Sequence, residues 1–405
     1  MKANNYEEIS YFLISSIFLL SILVLSPLIG VASMGTGYAL LTLLLITYLF
    51  IFKKRKINTR IIYFAALILL FSLFSAFYWE SYYPVKNQFW LISSIILFGL
   101  ATRKELSKFV DIASYFLFIL LIGAIIGFIS SYLGFGPYYD FPNPDGRSNY
   151  VFIGTFTNAF LGDFIRPAGI FDEPGAFSLI ICLIVAMRHA LSKSSTFSFL
   201  ILIMGIITTS LAHIVFTIIF LVANLSMLIR FKGLFFGTFI TGAIVFSILG
   251  SDISNKIYER LTFFIANVSQ VLEKKPTQEM DLDNRTRHLM VSINAIKDPR
   301  FSVLNGFKDC HKSPDCLGKL EHICCEPLSP LVKGGFFFAF PYYLALFISI
   351  VALFTKGKNG LILFAIGALL LQRPALYGIG YSLLITISYG LLMFYKMEYS
   401  EISKN

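Results

Sequence analysis

The feature that most constrains this chain is a succession of apolar stretches, separated by short charged links, that runs from Ile9 to Tyr395. A helix of roughly 20 apolar residues spans the hydrocarbon core of a bilayer, and the stretches recur at about that length. With 57% hydrophobic and only 14% charged residues, and a mean hydropathy of +0.75, a chain of 405 residues cannot hide its apolar side chains inside a water-soluble domain. Most of them must face lipid. The first stretch, from Ile9 to Gly30, is too long for a signal peptide and lacks the small-residue cleavage site. It is read as a first span that stays attached.

In order, the stretches are 9–30, 37–52, 61–79, 89–102, 109–133, 174–190, 196–209, 211–229, 233–250, 335–354, 361–372 and 377–395. The predicted fold class is all-α, a polytopic transmembrane helical bundle of about twelve spans. Residues 1–133 carry spans one to five, and 134–173 form a first polar loop. Residues 174–250 carry spans six to nine, 251–334 form a second and larger loop, and 335–405 carry the last three spans and a tail. The links Lys53-Lys54-Arg55-Lys56, Arg103-Lys104, Arg188 with Lys193, Arg230 with Lys232, and Lys356 with Lys358 all follow even-numbered spans. The bias of basic links toward the cytoplasm puts them all on that side, with both termini. The same distribution accounts for the net charge of +10 without nucleic acid as a partner.

Both long loops then face the extracytoplasmic side, and they hold 16 of the 23 acidic residues. The cytoplasmic links are too short to build a site, so polar chemistry is expected in the loops. Cys310, Cys316, Cys324 and Cys325 lie in the second loop, and Cys182 is alone in a span. In an oxidising compartment the four read as two disulfides, in which the adjacent Cys324 and Cys325 pair separately with Cys310 and Cys316, in an order left open. A zinc site with His311 and His322 is the rival, but the spacings match no paired Cys-x-x-Cys knuckle. There is no Walker A sequence, so ATP-driven transport has no support.

Candidate site residues border the spans. The first loop ends Arg166-Pro167-Ala168-Gly169-Ile170-Phe171-Asp172-Glu173-Pro174-Gly175, where the chain re-enters the membrane as a helix. Pro174 suits a first helical position and Asp172 can cap the free amides. The plain reading is that both carboxylates only complement the helix dipole. The functional one makes Glu173 a proton acceptor for a sugar hydroxyl. Arg166, an arginine at the edge of lipid, suits a phosphate or diphosphate.

In the second loop a helix is expected from Asp283 or Asn284 to about Lys297, and it places Arg285 and Arg287 near an anion-favouring N-terminus. Arg285 and Arg287 read either as a diphosphate clamp or as solvated partners of Asp281 and Asp283. His322, brought back toward the membrane before Gly334-Gly335, is a proton-transfer candidate or a structural neighbour of the disulfides. His288 and His311 have weaker cases, and His189 reads as part of a basic link. His213 sits near a tight turn between two spans, where satisfaction of the backbone comes before substrate contact. Arg373, before Pro374, either caps the outer mouth of a cavity or snorkels.

These residues resemble the O-antigen polymerase and ligase superfamily of polytopic bacterial membrane proteins. The similarity lies in the run from Arg166 to Gly175 ahead of a span, in the Asn284-Arg285 helix followed by Pro299 and Gly306, and in His322 with Gly334-Gly335 before the tenth span. The resemblance implies an integral-membrane glycosyltransferase (GT-C-like) of the bacterial inner membrane, independent of metal and cofactor. It would act at the periplasmic face on undecaprenyl-diphosphate-linked glycans, with a flippase and a chain-length regulator as candidate partners. Arg166 and Arg285, and less directly Arg287, would hold the donor diphosphate, with Arg373 beside them. Glu173 or His322 would serve as base while the growing chain moves to the terminal hydroxyl of a new repeat unit.

The Glu-Pro-Gly run favours polymerase over ligase, and the cysteine-rich insertion around His322 is a departure from the family pattern. The alternatives are a ligase that moves polysaccharide onto a lipid A core and a flippase or transporter of lipid-linked sugar. The transporter would want ionisable residues at mid-membrane and matched halves, whereas the charges here lie in loops and at span ends.

Overall fold

The computed structural model of the chain describes residues 2–27, 31–80, 83–142, 148–161, 164–225, 284–307 and 326–394. Local signals start the helices, several of them about six residues ahead of the expected apolar stretch. Before α3 (Thr59–Trp79), the Asn58 side chain accepts the Arg60 amide at 3.0 Å. At α5 (Arg103–Tyr132), Thr102 and Glu105 form a reciprocal capping box. Glu105 also takes both guanidinium nitrogens of Arg55 at 2.7 and 2.8 Å, and Arg55 reaches the Leu100 carbonyl. Here α1 is Lys2–Leu23, α2 is Val31–Thr47 and α4 is Tyr83–Leu100. The basic link after α2 is thus tied to the end of α4 and the start of α5.

The central element is α6 (Pro174–Ala190), buried on every face except at Gly175 and His189. A helix that is apolar all round must be surrounded by others, and α6 packs against α5, α7 (Ser195–Gly205), α8 (Leu211–Ala223), α11 (Lys358–Gln372) and α12 (Tyr381–Phe394). Its C-terminal end is held by Arg188, which donates to Ser198 Oγ, Ser114 Oγ and the Ser194 carbonyl and stacks on Phe197. Close by, Lys193 pairs with Asp111 at 2.6 Å.

Three described helices, α3, α5 and α10 (Ser329–Thr355), are long and apolar enough to cross a membrane, and shorter apolar helices accompany them. Large apolar side chains point outward from them, with Phe77 87% and Phe354 80% exposed. In water such a surface would aggregate; in lipid it is solvated. The chain is a membrane protein built mainly of helices.

The long α5 and short α7 share a level at Ser114 and Ser198, because Arg188 bonds both. From there α5 rises for 18 more residues to Tyr132, about 27 Å, whereas α7 and the 3-10 turn Ile206–Thr208 rise only about 15 Å. Counted along the two helices, the α7–α8 turn therefore stops about 12 Å short of the C-terminal end of α5.

The first loop, expected to be part of an all-α chain, carries five short strands. β1 (Tyr139–Pro142), β2 (Ser148–Phe152) and β3 (Thr155–Thr157) form an antiparallel sheet, and β4 (Phe160–Leu161) pairs with β5 (Phe164–Ile165). The sheet folds down beside α5. Gly123 and Gly127 leave a flat strip into which the Gly154 backbone and Thr155 press, and a Cβ on Gly123 would lie 2.5 Å from the Gly154 carbonyl oxygen.

The end of the second loop closes the bundle. The expected helix is α9 (Asn284–Ile296). Its Val291, Ala295 and Ile296 join Phe301, Phe307, Leu328 and Val332 in a small apolar cluster. Gly335, at φ +67°, breaks α10 near its start, and a side chain there would strike the Asn305 and Gly306 backbone. The freed Phe336 and Phe337 amides donate to the carbonyls of Val303 and Leu304, and Trp79 donates to the Asn305 carbonyl at 2.7 Å.

Candidate functional site

Glu173 is the residue before α6, in extended conformation (φ −149°, ψ 156°), with Pro174 opening the helix. This corrects the expected cap at Asp172. The N-cap position belongs to Glu173, whose own side chain does not cap the helix. The Glu173 carboxylate instead pairs with Arg373, at the other end of the described chain, with about a fifth of each side chain exposed. Arg373 thus neither snorkels alone nor stands off from the loop.

The position of Arg373 is over-determined. It terminates α11, donates to the Tyr381 hydroxyl at 3.2 Å, and leads into the 3-10 turn Ala375–Tyr377. Tyr377 fixes that turn by donating to the Phe338 carbonyl at 2.7 Å, an oxygen that also accepts from Gln88. Both bonds are possible because a carbonyl oxygen has two lone pairs.

Arg166 is placed by the sheet. Its segment runs back along β3, with the Arg166 amide on the Ala159 carbonyl, Ala168 on Phe156, and Phe156 on the Gly169 carbonyl. Thr157 Oγ1 donates toward the Arg166 carbonyl. Held this way, the guanidinium reaches down to the α7–α8 turn, where Nε donates to Thr209 Oγ1 at 2.7 Å and Nη2 to the Thr209 carbonyl at 3.2 Å. That turn packs against α6, and α11 packs against both α6 and α8. Arg166, Thr209, Glu173 and Arg373 are all half-buried at one end of the bundle. Glu173 and Arg373 are thus joined as an ion pair, and Arg166 is bonded separately to the α7–α8 turn that packs on the same helix; guanidinium groups of this kind suit a multiply charged anion.

The other expected residues divide cleanly. Arg285 and Arg287 fall in the first turns of α9, and their side chains lie outside the described residues, as do His322, His311 and the four loop cysteines. His213 is fully buried. One ring nitrogen is 2.8 Å from the Leu202 carbonyl and the other 3.5 Å from Cys182 Sγ, so it joins α6, α7 and α8. Buried Glu326 was not singled out by sequence reasoning. It accepts from Ser292 Oγ and the Leu328 amide, each at 2.7 Å, and so clamps α9 to the start of α10. Its only signal was a carboxylate one residue before a proline in an apolar setting.

No protein-family model and no curated protein matches the chain.

Proposed function

We propose that this chain polymerises lipid-linked glycans at the outer face of a bacterial inner membrane, as an undecaprenyl-diphosphate-dependent glycosyltransferase. The observation that carries the reading is the Glu173–Arg373 ion pair at the N-terminal end of the central helix, with Arg166 reaching the neighbouring turn. Guanidinium pairs suit a diphosphate, and a carboxylate beside them suits a proton acceptor.

In this mechanism the donor diphosphate is held by Arg166 and Arg373, and its negative charge competes with Glu173 for Arg373. The carboxylate so released accepts the proton of the acceptor hydroxyl. That oxygen bonds to the anomeric carbon of the donor sugar as the bond from that carbon to the diphosphate breaks. Polyprenyl diphosphate leaves with the electron pair, its charge neutralised by the arginines. The early stop of the α7–α8 turn lets the diphosphate sit below the end of α5, close to the depth of its lipid tail.

The test is incubation of purified protein with an undecaprenyl-diphosphate-linked repeat unit in the presence of chelator. A ladder of longer glycans is expected, and Arg166→Ala and Glu173→Gln should each leave only the single repeat. Undiminished ladders from both variants would refute the mechanism.

A further inference from the structure

The outward face of the first-loop sheet has a chemistry that the diphosphate site does not use. By register, Tyr139, Val151 and Phe156 lie side by side across the three strands, with Phe141 beside Asn149 two positions along. The opposite face, with Phe152 and Thr155 buried, packs on α5. On the outward face the Phe141 ring stacks on Tyr139 and meets Phe156 edge-on at 6.0 Å. Tyr139 is 63% exposed.

Under these rings lies an imbalance. Asn149 is fully buried, and neither its amide nitrogen nor its carbonyl oxygen has a hydrogen-bond partner; the same holds for both side-chain atoms of Asn158. Asn158 follows Thr157, the last residue of β3, whose strand partner Tyr150 is the neighbour of Asn149, so continuing the register sets the two carboxamides opposite each other at the end of the sheet. Among the described residues no other buried carboxamide has both of its atoms unpartnered. A buried polar atom without a partner costs about 1–3 kcal/mol, so this pair burdens the fold unless something outside the chain bonds to it.

We propose that this face of the sheet is a glycan-binding subsite, in which Asn149 and Asn158 hydrogen-bond sugar hydroxyls while Tyr139, Phe141 and Phe156 pack on the apolar faces of the sugar rings. A carboxamide offers donors and an acceptor together, which matches neighbouring hydroxyls that each donate and accept. Few polar groups set among aromatic walls is the usual construction of such a site. Rings that only anchored the sheet in the lipid interface would have no use for unpartnered amides beneath them. The inference rests on the polymerase reading for its assignment of the occupant as the acceptor glycan: Asn158, one residue past β3, precedes Ala159, whose carbonyl accepts the Arg166 amide, so a sugar seated here lies beside Arg166.

The test uses the full chain in detergent and two probes: the lipid-free oligosaccharide released by mild acid from the host cell's surface polysaccharide, and sugar-free undecaprenyl diphosphate. Asn149→Leu, Asn158→Leu and Tyr139→Ala should each weaken oligosaccharide binding roughly five- to tenfold and leave undecaprenyl diphosphate binding unchanged. The two leucine variants should melt no lower than wild type, since they remove unpartnered groups. Undiminished oligosaccharide binding in the double leucine variant, or a melting midpoint several degrees lower, would overturn the proposal. A full-length ladder from the double variant would remove the subsite and leave the polymerase reading standing. Asparagine-dependent oligosaccharide binding by a protein that forms no ladder would do the reverse.

Discussion

The Glu173–Arg373 pair can be tested as a coupled unit. With about a fifth of each side chain exposed, it lies between a surface ion pair worth about 0–1 kcal/mol and a buried one whose disruption costs about 3–5 kcal/mol. Coulomb attraction at an effective dielectric near 20 gives about 4 kcal/mol at 4 Å, part of which is returned as desolvation. Removing one partner should therefore cost about 2 kcal/mol, and Arg373→Met should cost somewhat more than Glu173→Gln because it also loses the bond to Tyr381. If the two groups mainly serve each other, the double variant should cost about as much as Arg373→Met alone. Detergent-denaturation titrations of the four proteins would measure this. Exchanging the two residues should recover much of the stability but no polymer, because the carboxylate then sits at the end of α11. Additive single-variant costs, or an exchanged protein that makes polymer, would refute the reasoning.

Three further outcomes follow from the packing. Thr209→Val removes an acceptor from the Arg166 guanidinium, a charged hydrogen bond worth about 1.5–3 kcal/mol, and should raise KM for the lipid-linked donor more than it lowers kcat in a single-turnover comparison. Gly127→Leu fills the strip on α5 that seats Thr155 and should expose residues 134–173 to limited proteolysis while the helical circular dichroism persists. Maleimide labelling of the folded, unreduced protein should modify Cys182 at most, since that thiol is fully buried and the loop cysteines are expected in disulfides; labelling in the loop would sink the disulfide reading.

The helical plan was legible because lipid imposes a coarse rule: a stretch of apolar residues bounded by charges has few other ways to fold. Glu173 and Arg166 were legible for the related reason that ionised groups at such a boundary need partners. The identity of the partner was not. Arg373 lies 200 residues from Glu173, and only the packing of α11 on α6 brings them together. The strands of the first loop escaped notice because they are two to five residues long. The alternation of aromatic and β-branched residues from Tyr150 to Thr157, split by Gly154, was nonetheless a hairpin signal. Likewise Gly123 and Gly127 carry the spacing usually associated with helix pairs, and here the strip takes a sheet.

The two ends of the cysteine-rich stretch have a consequence for variation in its length. Phe307 and Glu326 border it, and each is fastened independently, one side through the Trp79 bond to Asn305 and the other through Ser292 and Leu328. Chain inserted between two such moorings can lengthen, shorten or be exchanged without shifting the helices beneath. Changes of length between these two positions are therefore expected to leave the junction of α9 and α10 intact.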